Sequence, residues 1–308
     1  NNLIQNNQTQ TSNYQVAPTV EYTATYNVET QTTPTITSTN QSTQIGDRQK
    51  ITPTIVISPT VSKPEIATPT DVGCDESHGK IENFIIKSEL IPYDVTGRIY
   101  LPPCYDPNHD SGYPVIYLLH GQSYNDDQWD RLGADEIADM LILKGYRQPF
   151  LIVMPFEKYY LKGPNESDFD NVLIDVILPW VDHHYRTCTE ARCRAIGGIS
   201  RGAAWAMRLG LVHWDLFNAI GAHSFPPFGG DVYNLPYWFQ DIPLDNRPRI
   251  LIDIGRFDPY LKAAAKYEEW MTEYKIPHEW HLNEGTHNED YWASQIEDYL
   301  WWYTEPWK

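Results

Sequence analysis

Ala195-Ile196-Gly197-Gly198-Ile199-Ser200-Arg201-Gly202-Ala203-Ala204-Trp205-Ala206-Met207 runs from a short apolar segment, through a glycine-flanked serine, into a helix-prone segment. Its centre, Gly198 to Gly202, is G-x-S-x-G in strand–turn–helix context. A serine on such a sharp turn carries a strained backbone. The residues two positions away on either side must be small, so that strand and helix can approach closely. The helix N-terminus then directs free N–H groups and partial positive charge toward the serine. Ser200 is a candidate nucleophile. The competing reading is a tight turn whose serine only caps the helix.

The segments around this turn predict the fold. Residues 81–101 read as two strands with a turn near Pro92–Val95. Pro114-Val115-Ile116-Tyr117-Leu118-Leu119 and Phe150-Leu151-Ile152-Val153-Met154 are continuous apolar runs, the pattern of strands buried on both faces. Strands are also expected over 217–222, 249–254 and 279–282. Helices are expected near 127–144, over 168–185 with a kink at Pro179, and over 203–207, 261–274 and 289–302. Residues 223–248 read as a loop. Alternating strands and helices predict an α/β fold, a mostly parallel sheet flanked by helices. Sites in such sheets form beyond the strand carboxyl ends.

That rule locates partners for Ser200. Gly255-Arg256-Phe257-Asp258 follows one expected strand, and Asn283-Glu284-Gly285-Thr286-His287 follows another. A serine nucleophile needs a base, and the base needs an orienting acid. The chain order Ser200, Asp258, His287 supplies them. Asp253 and Glu284 are rivals to Asp258. Asp253 lies inside a strand, better placed to brace the loop than to reach a histidine. A developing oxyanion needs two donors. The Arg201 N–H and the Gln122 N–H, on the loop His120-Gly121-Gln122-Ser123, are the candidates. Gly121 is expected to let that backbone turn, and His120 to support it. No histidine pair has metal-ligand spacing, and no metal or cofactor is expected.

Composition divides the chain. Of 308 residues with net charge −18, the first 70 hold three basic and four acidic residues, while all 11 tryptophans and four cysteines come later. The first segment is rich in Thr, Gln, Asn and Pro and has too little apolar surface to offset the entropy of ordering. Residues 1–72 are expected to be a disordered tail or linker, the alternative being a small β-domain, and residues 73–308 one α/β domain. The acidic balance argues against nucleic acid as a partner. No apolar run reaches the roughly 18–20 residues of a membrane span. The cysteines form two plausible pairs, Cys74 with Cys104 and Cys188 with Cys193, and free buried thiols are the alternative. A Thr/Pro-rich stalk and an even cysteine count suit a secreted or cell-surface protein, with the tail as a possible tether.

The run Tyr117 to Ser123, the elbow Gly197 to Gly202, Asp258 after Gly255 and His287 after Gly285-Thr286 together resemble the esterase D / feruloyl esterase (carbohydrate esterase family one-like) family of α/β-hydrolases. The segment Ile81–Pro103 resembles that family's first hairpin. The resemblance covers about residues 74–305. It implies an α/β-hydrolase fold and a serine esterase acting through an acyl-enzyme. Within the family, which also holds acetylxylan esterases, enterochelin esterases, S-formylglutathione hydrolases and mycolyltransferases, the exported branch acting on plant cell-wall polysaccharide esters fits best. A feruloyl esterase is expected. An acetylxylan or other short-acyl esterase is the alternative, and a catalytically silent carbohydrate binder is the non-enzyme reading. Phe156, His223, Phe225 and Trp238 are the expected substrate contacts, since aromatics above the site can stack a phenolic ring or a sugar.

Overall fold

A computed structural model describes residues 75–307. The expected tail over 1–72 and Cys74 lie outside the described residues. β1 (Lys80–Ile86) and β2 (Val95–Leu101) form an antiparallel hairpin, followed by β3 (Val115–Leu119), α1 (Gln128–Arg131), α2 (Ala134–Leu143) and β4 (Leu151–Pro155). α3 (Phe169–Asn171), a π-helical stretch Val172–Ile177 and α4 (Leu178–His184) then run on without a break. β5 (Arg194–Ile199) leads into α5 (Arg201–Val212). β6 (Ala219–His223), α6 (Asp231–Gln240), β7 (Arg249–Gly255), α7 (Leu261–Glu273), β8 (Glu279–Asn283) and α8 (Glu289–Tyr303) complete the domain.

The eight strands form one sheet in the order β1-β2-β4-β3-β5-β6-β7-β8. β1 and β2 pair antiparallel, β2 pairs antiparallel with β4, and every other pairing is parallel. This is the α/β-hydrolase fold. β3 to β6 are buried along their whole length, which is why their sequences are apolar runs and not alternations. One core layer joins the sheet to α4, α5, α6 and α7 through residues such as Val181, Trp205, Leu235 and Met271. The other joins it to α2 and α8 through Leu141, Trp292, Tyr299 and Tyr303. Gly197 and Gly221 are paired neighbours on β5 and β6. A Cβ on either would lie 1.7 or 1.8 Å from the Tyr303 hydroxyl, so these glycines admit α8 to the sheet.

One expectation needs correction. Residues 223–248 hold a helix, α6, which begins after Gly230 at φ 98° and carries Pro236 inside it. A proline there removes one helical N–H, which is why the segment reads as a loop. The helical segment runs on through Pro179, where a kink is expected. That proline stands in the first turn of α4, just after the π-helical stretch, and the changed hydrogen-bond register there accommodates the missing donor. The disulfide Cys188–Cys193, with Cα atoms 5.8 Å apart, closes the loop before β5. Cys104 is also disulfide-bonded.

Candidate active site

Strand registry aligns the relevant carboxyl ends. Leu119 pairs with Gly198, Ile199 with His223, and His223 with Asp253. The chain leaves β5 at Ser200, whose φ of 56° and ψ of −120° are rare for a residue with a side chain and cost on the order of 1–3 kcal/mol. The surroundings enforce that conformation. Ser200 N–H donates to the His223 carbonyl at 2.8 Å. A Cβ on Gly198 would lie 2.3 Å from the Gly202 backbone, and one on Gly202 would lie 2.2 Å from the Leu119 carbonyl oxygen. Both elbow positions therefore require glycine, and Ser200 projects at the head of α5.

The loops after β7 and β8 are stitched together. Arg256 N–H donates to Asn283 O at 2.7 Å and Phe257 N–H to Gly285 O at 2.9 Å. Thr286 Oγ1 donates to Phe257 O at 3.1 Å. A Cβ on Gly255 would lie 2.5 Å from Gly285 O, so this approach also depends on a glycine. The stitching sets Asp258 against His287. His287 Nδ1 lies 2.8 Å from Asp258 Oδ2, and His287 Nε2 lies 2.8 Å from Ser200 Oγ. With Asp258 ionised and so acceptor-only, Nδ1–H donates to the carboxylate and Nε2 accepts the serine hydroxyl. The Asp258 side chain is fully buried and accepts the Tyr260 N–H at 2.8 Å through its other oxygen. Tyr260 and Trp292 meet the His287 ring edge-on at 4.9 and 5.1 Å between centroids. Asn288 caps α8 by accepting the Tyr291 N–H, anchoring the chain just after His287.

The rival acids are engaged elsewhere. Glu284 is exposed and pairs with Arg256 at 2.7 Å. Asp253 does reach a histidine, contrary to expectation, but a buried one: its Oδ1 lies 2.5 Å from His223 Nδ1. Its Oδ2 accepts the hydroxyls of Tyr291 at 2.6 Å and Tyr299 at 2.7 Å.

Arg201 begins α5, so its N–H has no acceptor within the helix and is free beside Ser200. Gln122 is exposed on the loop after β3. Gly121 is not what turns that loop: its φ is not positive, and an added Cβ would meet Tyr124 Cδ2 only at 3.2 Å. The loop is held instead by Gln128 Oε1, which accepts the Gly121 N–H at 2.8 Å, and by buried His120, whose Nδ1 lies 2.8 Å from Gly121 O. Burial lowers the His120 pKa, which favours the neutral ring. Sequence reading missed Glu157. It binds both His120 and Arg201, and a lone glutamate after Pro155-Phe156 carries no periodic signal.

A cavity of about 450 Å³ opens beside this loop, lined by Ser123, Tyr124, Asn125, Asp127, Arg131, Phe156 and Tyr160. Phe156 stacks on His120 with centroids 5.5 Å apart. Of the other expected substrate contacts, His223 is fully buried against Asp253 and Tyr303 and faces no cleft. Phe225 is buried against Tyr267. His223, the last residue of β6, packs on Tyr299 and Tyr303 of α8, and Phe225, just beyond that strand, turns inward onto Tyr267 of α7. Trp238 is half buried on α6, with the Arg208 guanidinium 5.9 Å from its ring.

The family model described as "Putative esterase" matches residues 88–303. An endo-1,4-beta-xylanase/feruloyl esterase of Xylanibacter ruminicola is 31% identical over 160 residues, 49% of this chain and 22% of that protein. An esterase of Mycobacterium tuberculosis, Rv1288, is 25% identical over 69% of this chain and 57% of its own length. The chain thus spans only part of each of these relatives. A CE1 ferulic acid esterase of Anaeromyces mucronatus, solved with ferulic acid, superposes with TM-score 0.63 at 20% identity, covering 79% of this chain and 99% of its own. The chain belongs to this esterase family of α/β-hydrolases.

Proposed function

We propose that the chain is a secreted or cell-surface serine esterase that releases feruloyl groups from plant cell-wall polysaccharide through Ser200, His287 and Asp258. The observation that carries the catalytic part is the continuous hydrogen-bond chain from Ser200 Oγ through His287 to buried Asp258, set on a strained elbow. In the first step His287 Nε2 takes the Ser200 proton as Oγ attacks the ester carbonyl. Asp258 holds the imidazole in the tautomer that can accept, and offsets the imidazolium charge. The Arg201 and Gln122 amides receive the developing oxyanion. His287 then protonates the departing alcohol, leaving an acyl-serine. Water, deprotonated by His287, releases the acid.

The feruloyl part is supported by the aromatic lining of the cavity at Tyr124, Phe156 and Tyr160, which suits a planar phenolic ring. The names of the xylanase-linked relative and of the ferulic acid esterase structure point the same way. Hydrolysis of methyl ferulate, p-nitrophenyl acetate, acetylated xylan and S-formylglutathione by the wild type and Ser200→Ala tests both parts. Preference for ferulate, abolished in the variant, is expected. Preference for acetyl esters would keep the triad and remove the feruloyl assignment. No turnover and no labelling by a fluorophosphonate would favour a carbohydrate binder.

A further inference from the structure

The two amides proposed to receive the oxyanion come from segments distant in sequence, Arg201 at the head of α5 and the His120–Gln122 loop after β3. One residue from a third segment touches both. Glu157 lies two residues beyond β4. Its main-chain N–H donates to His120 Nε2 at 2.9 Å. Its carboxylate accepts both from Arg201 Nε at 2.7 Å and from Arg201 Nη2, and also from Trp205 Nε1 at 3.0 Å. Arg201 Nη2 further donates to Lys162 O at 2.8 Å. Glu157, His120 and Arg201 are all buried, with 3%, 3% and 8% of their surface exposed.

A buried ion pair is weak evidence for stability, since apolar residues of similar volume often serve as well or better. What a two-pronged carboxylate–guanidinium pair does supply is geometry. It fixes distance and rotation together. Here one prong-pair restrains the residue that follows the nucleophile, and the amide of the same glutamate restrains the loop opposite. We propose that Glu157 is the positioning residue that sets the span of the oxyanion hole, holding the Arg201 and Gln122 amides at a fixed separation. It is not a catalytic residue, because it acts only through His120 and Arg201. The proposal rests on the reading of Ser200 as nucleophile.

The test compares wild type, Glu157→Gln, the double variant Glu157→Ala/Arg201→Met, and Ser200→Ala. Three readouts are taken: kcat and KM for p-nitrophenyl acetate across pH, inhibition by phenylboronic acid, and Tm. The boronate forms a tetrahedral serine adduct that places an oxygen where the oxyanion develops. Glu157→Gln turns an amide N–H₂ toward the Arg201 fork and loosens it. Its kcat is expected to fall roughly 10–100-fold, a fraction of what loss of one donor costs. KM should stay within about twofold, boronate affinity should fall by the same factor as kcat, and the pH midpoint should be unchanged. The double variant removes the buried unpaired charge, so its Tm is expected to recover while kcat stays low. A double variant that recovers kcat along with Tm would make Glu157 merely structural and overturn the proposal. So would a Glu157→Gln enzyme with wild-type kcat and boronate affinity. Activity surviving in Ser200→Ala would overturn the nucleophile reading itself, an outcome distinct from either.

Discussion

His223 and Asp253 form a second histidine–carboxylate pair, on adjacent strands at paired register, with both side chains fully buried and the second ring nitrogen of His223 facing the Tyr303 hydroxyl, not a serine hydroxyl. His287 and Asp258 form the first, on loops, with the histidine ring partly open to solvent. The same chemistry thus appears twice, and position separates the roles. In the buried pair Asp253 receives three donors, and Tyr303 completes His223 from its other side at 2.8 Å. Burial first, and the Asp253 charge second, push the Tyr299 and Tyr303 hydroxyls well above their ordinary range, so they remain protonated donors.

His223→Leu is therefore expected to destabilise. Removing one partner leaves a buried carboxylate short of a donor, at a cost of about 3–5 kcal/mol. Urea unfolding should show the loss in its midpoint, while kcat of the folded fraction stays within a few-fold of wild type. A variant of normal stability with collapsed kcat would return His223 to the cleft.

Gly202 and Gly121, on the two segments that carry the proposed oxyanion donors, should respond to alanine very unequally. In Gly202→Ala the new Cβ would meet the Leu119 carbonyl oxygen at 2.2 Å, and backbone on both sides cannot yield cheaply. A loss of at least about 3 kcal/mol, or failure to accumulate as soluble protein, is expected. Gly121→Ala meets a tyrosine ring edge at 3.2 Å and should cost under about 1 kcal/mol. Thermal denaturation of both checks the contrast.

These cases mark what the sequence could carry. The elbow was legible because its glycines, serine and helix lie within a few residues. The central strands were legible because burial on both faces writes an unbroken apolar run. Asp258 and His287 followed from chain order and strand ends. The pairing of His223 with Asp253, and of Glu157 with Arg201, leaves no such trace, since each joins residues 30 or more apart through packing alone. α6 was hidden by Pro236, and Phe225 before it suggested a cleft wall where that side chain is core.

Asp135, in the first turn of α2, has one carboxylate oxygen buried without a hydrogen-bond partner. Burial, with Glu136 beside it, pushes its pKa up to about 7. The folded state then binds this proton more tightly than the unfolded state does. The associated stability is fully present below the ordinary carboxylate range and is lost as pH rises toward 7. Asp135→Asn removes the dependence. At pH 8 its Tm should exceed that of the parent by roughly 2–4 °C, and the difference should close near pH 4. An equal difference at both pH values would contradict this assignment.

Phe156 is the aromatic that the cavity shares with the oxyanion loop through His120. Phe156→Ala is expected to lower kcat/KM for methyl ferulate about tenfold or more relative to p-nitrophenyl acetate, as loss of ring burial requires. Equal effects on both substrates would mean that Phe156 supports His120 and does not contact the acyl group.

The central claim is that Ser200 carries the feruloyl group through an acyl-enzyme. Acid quenching during turnover of a feruloyl ester, followed by mass spectrometry of the digested protein, measures it directly. The account predicts one feruloyl adduct on the peptide containing Ser200, more abundant at early quench times and absent in Ser200→Ala. Turnover without an adduct on that peptide, or an adduct on another residue, would contradict it.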